Sequence, residues 1–140
     1  MAHLNRWPKT MSTRREIEFR RATLALAADA KAQIALCPPF VCIGDELVID
    51  WGDALDLYRV ERTDGFTEEK ERAIGVLDQT ITRHSGAANA RMFCDAAALA
   101  DDPRWQAVRI AAVAVCAVFG WRIEPPEKSS AVYVAGGRKE

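Results

Sequence analysis

The densest group of side chains able to do chemistry is acidic. Asp45, Glu46, Asp50, Asp53 and Asp56 fall within 12 residues that contain no lysine or arginine. Their spacing does not match a calcium loop, which alternates its ligands around a glycine at a fixed position. Two of them could act as a general acid and base, but nothing in the sequence indicates the partner. The group is more typical of an acidic surface presented to a basic protein, or simply of solvent-facing strand and turn positions.

The cysteines and histidines form a second reactive set. Cys37 and Cys42 have a C-x4-C spacing around two prolines, which is not the C-x2-C of a zinc knuckle or thioredoxin-type motif. Zinc would also need His84 and Cys94, without the paired spacing of such sites. A nucleophile built from His84 with Cys94 or Cys42 stays open, because such partners meet in space. We expect reduced thiols, as in cytoplasmic proteins, with Cys94 and Cys116 as small core residues.

Positive charge is concentrated at the start of the chain. Residues 1–21 hold six basic residues against Glu16 and Glu18, so six minus two leaves +4. A basic arm can contact phosphates, and nucleic-acid binding is therefore an alternative function. The helix that follows has no run of base-reading residues such as Asn and Gln, so a solvated arm and outer helix face is favoured. The basic residues are Arg6, Lys9, Arg14, Arg15, Arg20 and Arg21.

Composition and motifs exclude more than they identify. The chain has 140 residues, 49% of them hydrophobic and 28% charged, with a formal net charge of −1. These values are ordinary for one soluble domain and give no global field toward nucleic acid or membranes. Dinucleotide-binding, P-loop, metalloprotease and nucleophile-elbow motifs are absent from the sequence. We predict no catalytic residue, no metal site and no cofactor.

The elements that must position these residues are organised around residues 101–121. Asp101 or Asp102 can cap a helix that starts at Pro103, and Gly120 is placed to end it. Its apolar run of ten residues is half the length of a membrane span. No polar face remains after Arg109, which predicts a helix buried on all sides. An aspartate at residue 114 or 115 should therefore prevent folding.

The other segments alternate between helix and strand signals. Thr13 begins a capping box, and one long amphipathic helix should run from there to near residue 36. Residues 41–43, 46–50 and 55–60 have strand-like density of β-branched and aromatic residues; a short helix capped by Asp53 is the alternative. Thr67 should cap a helix that buries Ile74, Leu77 and Ile81. A short helix over residues 87–100 and a last strand over residues 131–135 complete the pattern.

Together these signals predict an α+β fold with about four helices. They surround the central helix (about 103–119), and a small antiparallel sheet comes from residues about 41–60 and 121–135. Residues 1–11 would be a flexible arm, 12–135 one globular domain and 136–140 a polar tail. We expect a cytoplasmic, non-enzymatic protein of the inhibitor, immunity-type or accessory-regulator kind, such as mobile elements encode, that binds another protein through its acidic group. The alternatives are a small enzyme with a pocket beside the central helix and nucleic-acid binding; a homodimer could form through an edge strand at 131–135.

Overall fold

A computed structural model of the chain describes residues 12–127, and this part is helical. It contains no strand, so the predicted α+β fold and its sheet over residues 41–60 are wrong. The arm at 1–11, the strand at 131–135 and the tail at 136–140 lie outside the described residues. The helices are α1 (Arg14–Ala27), α2 (Ala30–Ala35), α3 (Ile43–Glu61), α4 (Glu68–Thr82), α5 (Ala90–Cys94), α6 (Ala96–Asp101) and α7 (Pro103–Phe119), with a 3-10 turn at Ala87–Asn89 before α5.

The segment assigned to strands is the single 19-residue helix α3. Its buried residues recur at spacings of three and four, which is the period of one helix face. Three of the β-branched residues that suggested strands lie outside this stripe: Ile49 and Val60 face solvent, and Val48 is half-buried. Local β propensity was outweighed by burial of the helical stripe, because packing routinely overrides propensity. The stripe comprises Ile43, Leu47, Trp51, Ala54, Leu55 and Tyr58.

The predicted first helix is divided in two. Thr13 caps α1 as expected, since its Oγ1 accepts a hydrogen bond from the backbone N–H of Glu16 at 3.1 Å. The helix ends at Ala27, and Asp29 caps α2 by accepting from the backbone N–H of Ala32 at 2.9 Å. Ile17, in the first turn of α1, is 51% exposed. The break lets α2 turn toward α6 rather than continue the axis of α1.

Helix α7 has the predicted bounds and caps. The Asp102 carboxylate accepts from the backbone N–H of Arg104 at 2.9 Å, and Gly120 ends the helix at a φ of 74°, where only glycine is free of strain. Trp105 and Val115 are fully buried on the side that packs against α1 and α4. The opposite side is open, however, and Ile110 is 62% exposed. The expectation of burial on all sides was therefore wrong.

The helix signals between α3 and α7 were largely correct. Thr67 caps α4 by accepting from the backbone N–H of Lys70 at 3.2 Å, and the buried side chains of α4 include Ile74, Leu77 and Ile81. Residues 87–100 form three short elements instead of one helix. Asp95 is the reason, because its side chain accepts from the backbone N–H of residue 97 and starts a new helix.

One polar network ties the short helices to α7. Gln33 is fully buried, and its Nε2 donates to the carbonyls of Ala25 and Leu26 at 3.1 and 3.2 Å, which caps the end of α1. The Arg109 guanidinium donates to Gln33 Oε1 at 2.8 Å, to the Ala28 carbonyl at 3.0 Å and to the carbonyl of residue 99. Burial lowers the pKa of Arg109 from its usual value. These bonds satisfy carbonyls at the ends of α1 and α6 that would otherwise be unpaired.

The first turn of α3 lies against α5, and a glycine permits the contact. A Cβ added to Gly44 would lie 2.7 Å from the Phe93 carbonyl oxygen and 2.7 Å from Trp105 Cζ2. Trp105 is itself held in place, because its Nε1 donates to the carbonyl of Met92 at 2.7 Å. The close approach brings Cys42, just before α3, next to Cys94 at the end of α5.

No helix within the described residues is both long enough and apolar enough to cross a membrane.

Candidate functional site

The acidic residues and three large aliphatic residues share the outward side of α3. At about 100° per residue, all of them fall within about 140° of the helix circumference, opposite the buried stripe. Ile49, Leu57 and Val60 are 55%, 46% and 77% exposed. We call this surface the α3 face and define it as Asp45, Glu46, Ile49, Asp53, Asp56, Leu57 and Val60.

Asp50, at the edge of this arc, belongs to the scaffold. Its carboxylate accepts two hydrogen bonds from Arg21 Nη2, at 2.8 and 3.1 Å. Arg21 also bonds Glu18 at 3.0 Å, and its side chain is only 11% exposed. Although burial opposes the charge, these carboxylates raise the pKa of Arg21 above its usual value. The pair joins α1 to α3, so Asp50 already has a partner within the protein.

Asp53 and Asp56 are the exposed charges of the α3 face. Within residues 12–127, neither Asp53 nor Asp56 forms a salt bridge, although the charge of Asp56 acts on Arg59. Arg59 is itself bound by Glu71, with Nη1 2.8 Å from Oε2, and this hydrogen bond lowers the pKa of Glu71. The face therefore presents exposed aliphatic side chains between net negative charges.

Sequence reasoning found the acidic half of this surface and missed the aliphatic half. Ile49, Leu57 and Val60 were assigned to strands, where alternate residues point to opposite sides. On a helix, the spacing of eight residues from Ile49 to Leu57 and of three from Leu57 to Val60 places the three side chains on one face. The signal was present, but it could be recognised only after residues 43–61 were known to be helical.

A disulfide lies at the N-terminal end of the α3 face. Cys42 and Cys94 are bonded across 52 residues of sequence, so the expectation of reduced thiols was wrong for this pair. Asp45 Oδ2 lies 4.0 Å from Cys94 Sγ, and the ligand atoms of these three residues lie within 4.8 Å of one another. Zinc binding needs deprotonated thiolates, and the bonded sulfurs cannot supply them.

The two cysteines predicted to be core residues differ. Cys94 is exposed at the last position of α5, so that prediction was wrong. Cys116 is buried on α7 as expected, and burial raises the pKa of its thiol to about 11. A thiol with this pKa is inert at neutral pH, because the thiolate is the nucleophile. Cys37 is half-buried and is not in a disulfide.

His84, just after α4, lies near the N-terminal end of α7. Its charge acts on Asp102, whose pKa is lowered to about 2 chiefly by hydrogen bonds from the Arg104 side chain. Cys42 and Cys94 are bonded to each other, so neither offers a free thiol in this state. The predicted cysteine–histidine alternative therefore has no support in the described residues.

Two of the four basic residues of the first segment that the structure describes are paired with carboxylates. Arg20 Nη2 lies 2.6 Å from the Glu124 carboxylate, and Arg21 is bound to Asp50. Arg14 and Arg15 are exposed. Arg6 and Lys9 lie outside the described residues. Half of the described basic side chains are thus already neutralised by carboxylates.

Two clefts of the described surface bear on the enzyme alternative. The larger, of about 460 Å³, lies between α1 and residues 124–127, and Arg20 and Glu124 line it. A second, of about 430 Å³, lies beside Arg91, Asp95 and Pro103. Neither is lined by a histidine or a cysteine, but acidic side chains line both, so the enzyme alternative stays a prediction.

Comparison of the chain with protein-family models, with curated proteins and with solved structures found no match. The candidate site is therefore described by its geometry: an acidic and aliphatic helix face with a surface disulfide at one end.

Proposed function

We propose that this protein acts by binding another protein through the α3 face, and that the partner presents a basic amphipathic helix. The observation that carries the proposal is the exposure of Ile49, Leu57 and Val60 beside the carboxylates of Asp53 and Asp56. Isolated exposed aliphatic residues are common, but three on one helix face mark a docking surface.

Charge complementarity identifies the partner. Apolar anchors supply the free energy of binding, while complementary charges select the partner and its orientation. A helix that matches this face would carry Lys or Arg beside Leu or Ile at spacings of three, four and seven residues. The 12 residues from Ile49 to Val60 cover about 17 Å, or three helical turns of such a partner. We keep the predicted cytoplasmic location as part of this proposal.

Binding to a designed probe peptide tests the proposal. The probe is a 20-residue helix of Lys and Leu with the matching spacing, and its control is a scrambled peptide of the same composition. We expect the full chain to bind the probe at least tenfold more tightly than the scrambled peptide, measured by fluorescence anisotropy. Equal affinity for the two peptides would show that only net charge is recognised and would overturn the proposal.

Variants locate the binding surface. Ile49→Ser with Val60→Ser should weaken probe binding about tenfold or more, because the apolar anchors are lost. Asp53→Asn with Asp56→Asn should slow association and flatten its salt dependence. Val76→Ser on α4 is the matched control, since Val76 is 52% exposed but lies on another helix. An equal loss in the Val76→Ser variant would contradict the assignment of the α3 face. Asp50 is left intact because its ion pair holds α1 to α3.

A further inference from the structure

The Cys42–Cys94 disulfide is accessible from solvent on one side. Cys94 is exposed, whereas Cys42 is half-buried, so an external thiol reaches Cys94 Sγ first. In the cytoplasm, where we place the protein, disulfides are transient and serve catalysis or redox sensing. A bond whose only task was to staple the fold would be better protected inside the core.

The two sulfurs differ in how well they carry negative charge. Cys42 is the N-cap of the 19-residue helix α3 and makes no side-chain cap hydrogen bond. A thiolate at this position is stabilised by the free backbone N–H groups and the dipole of the helix. Cys94 lies at the opposite kind of helix end, the C-terminus of α5, where no backbone N–H groups are free. The Asp45 carboxylate lies within 4.8 Å of both sulfurs, so it does not favour Cys94. When the bond opens, the electron pair is better placed on Cys42.

We propose that Cys42–Cys94 is a thiol–disulfide exchange site for dithiol substrates, in which Cys94 is attacked and Cys42 is the leaving group. A substrate thiolate forms an S–S bond with Cys94 Sγ, while the Cys42–Cys94 bond breaks and its electron pair goes to Cys42 Sγ. The second substrate thiolate then attacks the substrate sulfur of this mixed disulfide and releases Cys94. The substrate is oxidised to its disulfide, the pair is reduced by two electrons, and the two substrate protons end on the two cysteines. The reverse reaction runs through the same intermediate.

Asp45 determines which thiols are accepted. The neighbouring charges Arg91 and Asp95 pair with each other, with Nε 3.5 Å from Oδ2, so the Asp45 charge dominates beside Cys94. An incoming thiolate that carries a second negative charge is repelled, and one that carries an ammonium group is not. The substrate class is therefore a dithiol flanked by basic groups. Asp45 acts on selectivity as a positioning residue and takes no part in bond making.

The first experiment identifies the attacked sulfur. Oxidised full-length chain is mixed with glutathione, quenched with N-ethylmaleimide within seconds and mapped by mass spectrometry. We expect the glutathione adduct on Cys94 and the maleimide on Cys42, by at least tenfold over the opposite pattern. Unmodified Cys116 confirms that the fold is intact. An adduct mainly on Cys42, or reduction only after unfolding in urea, would overturn the proposal.

The second experiment tests the role of Asp45 with two monothiol probes. Rates of disulfide opening are measured with cysteamine and with 3-mercaptopropionate at equal thiolate concentration. The preference for cysteamine should fall about tenfold in the Asp45→Asn variant, because the two probe thiolates differ by two charges. A similar fall is expected for the parent chain in 1 M salt, which screens the Asp45 charge. Asp78→Asn, an exposed residue of α4 outside the α3 face, is the control and should not change the ratio. An unchanged ratio in Asp45→Asn would contradict the assignment. Peptide binding by the α3 face is scored separately, so the two proposals can fail independently.

Discussion

Adjacent residues of α7 should respond in opposite ways to the same substitution. Val115 is fully buried between α1 and α4, whereas Ala114 is exposed on the open side of the helix. Val115→Asp loses about 1.5–3 kcal/mol of apolar burial, and an unpaired carboxylate at this position costs several kcal/mol more. Domains of this size are stable by about 5–15 kcal/mol, so Val115→Asp should not fold. Ala114→Asp loses only helix propensity, about 0.7 kcal/mol or less.

Urea unfolding followed by far-UV circular dichroism checks this pair. Ala114→Asp should unfold cooperatively with a midpoint within about 0.5 M of the parent chain. If Val115→Asp is insoluble, Val115→Ala replaces it. This variant should lower the free energy of unfolding by about 2 kcal/mol and the urea midpoint by roughly 1–2 M. A Val115→Asp chain with the parent midpoint would refute the packing described for α7. Loss of cooperative unfolding in Ala114→Asp would show that the open side is covered.

Three further substitutions test contacts between elements. Gly44→Ala should destabilise the chain by about 1–3 kcal/mol, because the added Cβ would lie 2.7 Å from backbone and from a tryptophan ring. Gly52→Ala is the control and should be neutral or stabilising, since nothing lies within 4 Å of its added Cβ. Equal effects of the two substitutions in urea unfolding would contradict the contact at Gly44. Arg109→Met should cost about 2–4 kcal/mol by leaving buried acceptors unpaired, and the exposed Arg91→Met is its control in the same assay. The pKa of Asp102 is lowered to about 2, so its stabilisation is present above pH 4 and is lost as pH falls toward 2. Asp102→Asn still caps α7 and should make the free energy of unfolding depend less on pH between pH 5 and pH 2. An unchanged pH profile would show that Asp102 is not responsible for the loss.

The disagreement between sequence and structure is concentrated in α3. Helix starts at Thr13, Thr67 and Pro103 were predicted correctly because capping is a local interaction, formed within the first turn that the cap satisfies. Residues 43–61 carry no such cap, since Cys42 makes no side-chain hydrogen bond to the first turn. Without that signal, the exposed Ile49 and Val60 gave the segment the composition of a strand.

Local chemistry by itself determined where several helices begin, where α7 ends and which residues of α4 are buried. It also determined that the acidic residues form one group, and the helical conformation of α3 then put most of them on one surface. Only the tertiary structure decided that Asp50 is used internally by Arg21, that α7 has an open side, and that Cys42 meets Cys94. These facts depend on contacts between residues far apart in sequence. Spacing along the chain carries no information about such contacts, because they form only when separately folded helices pack together.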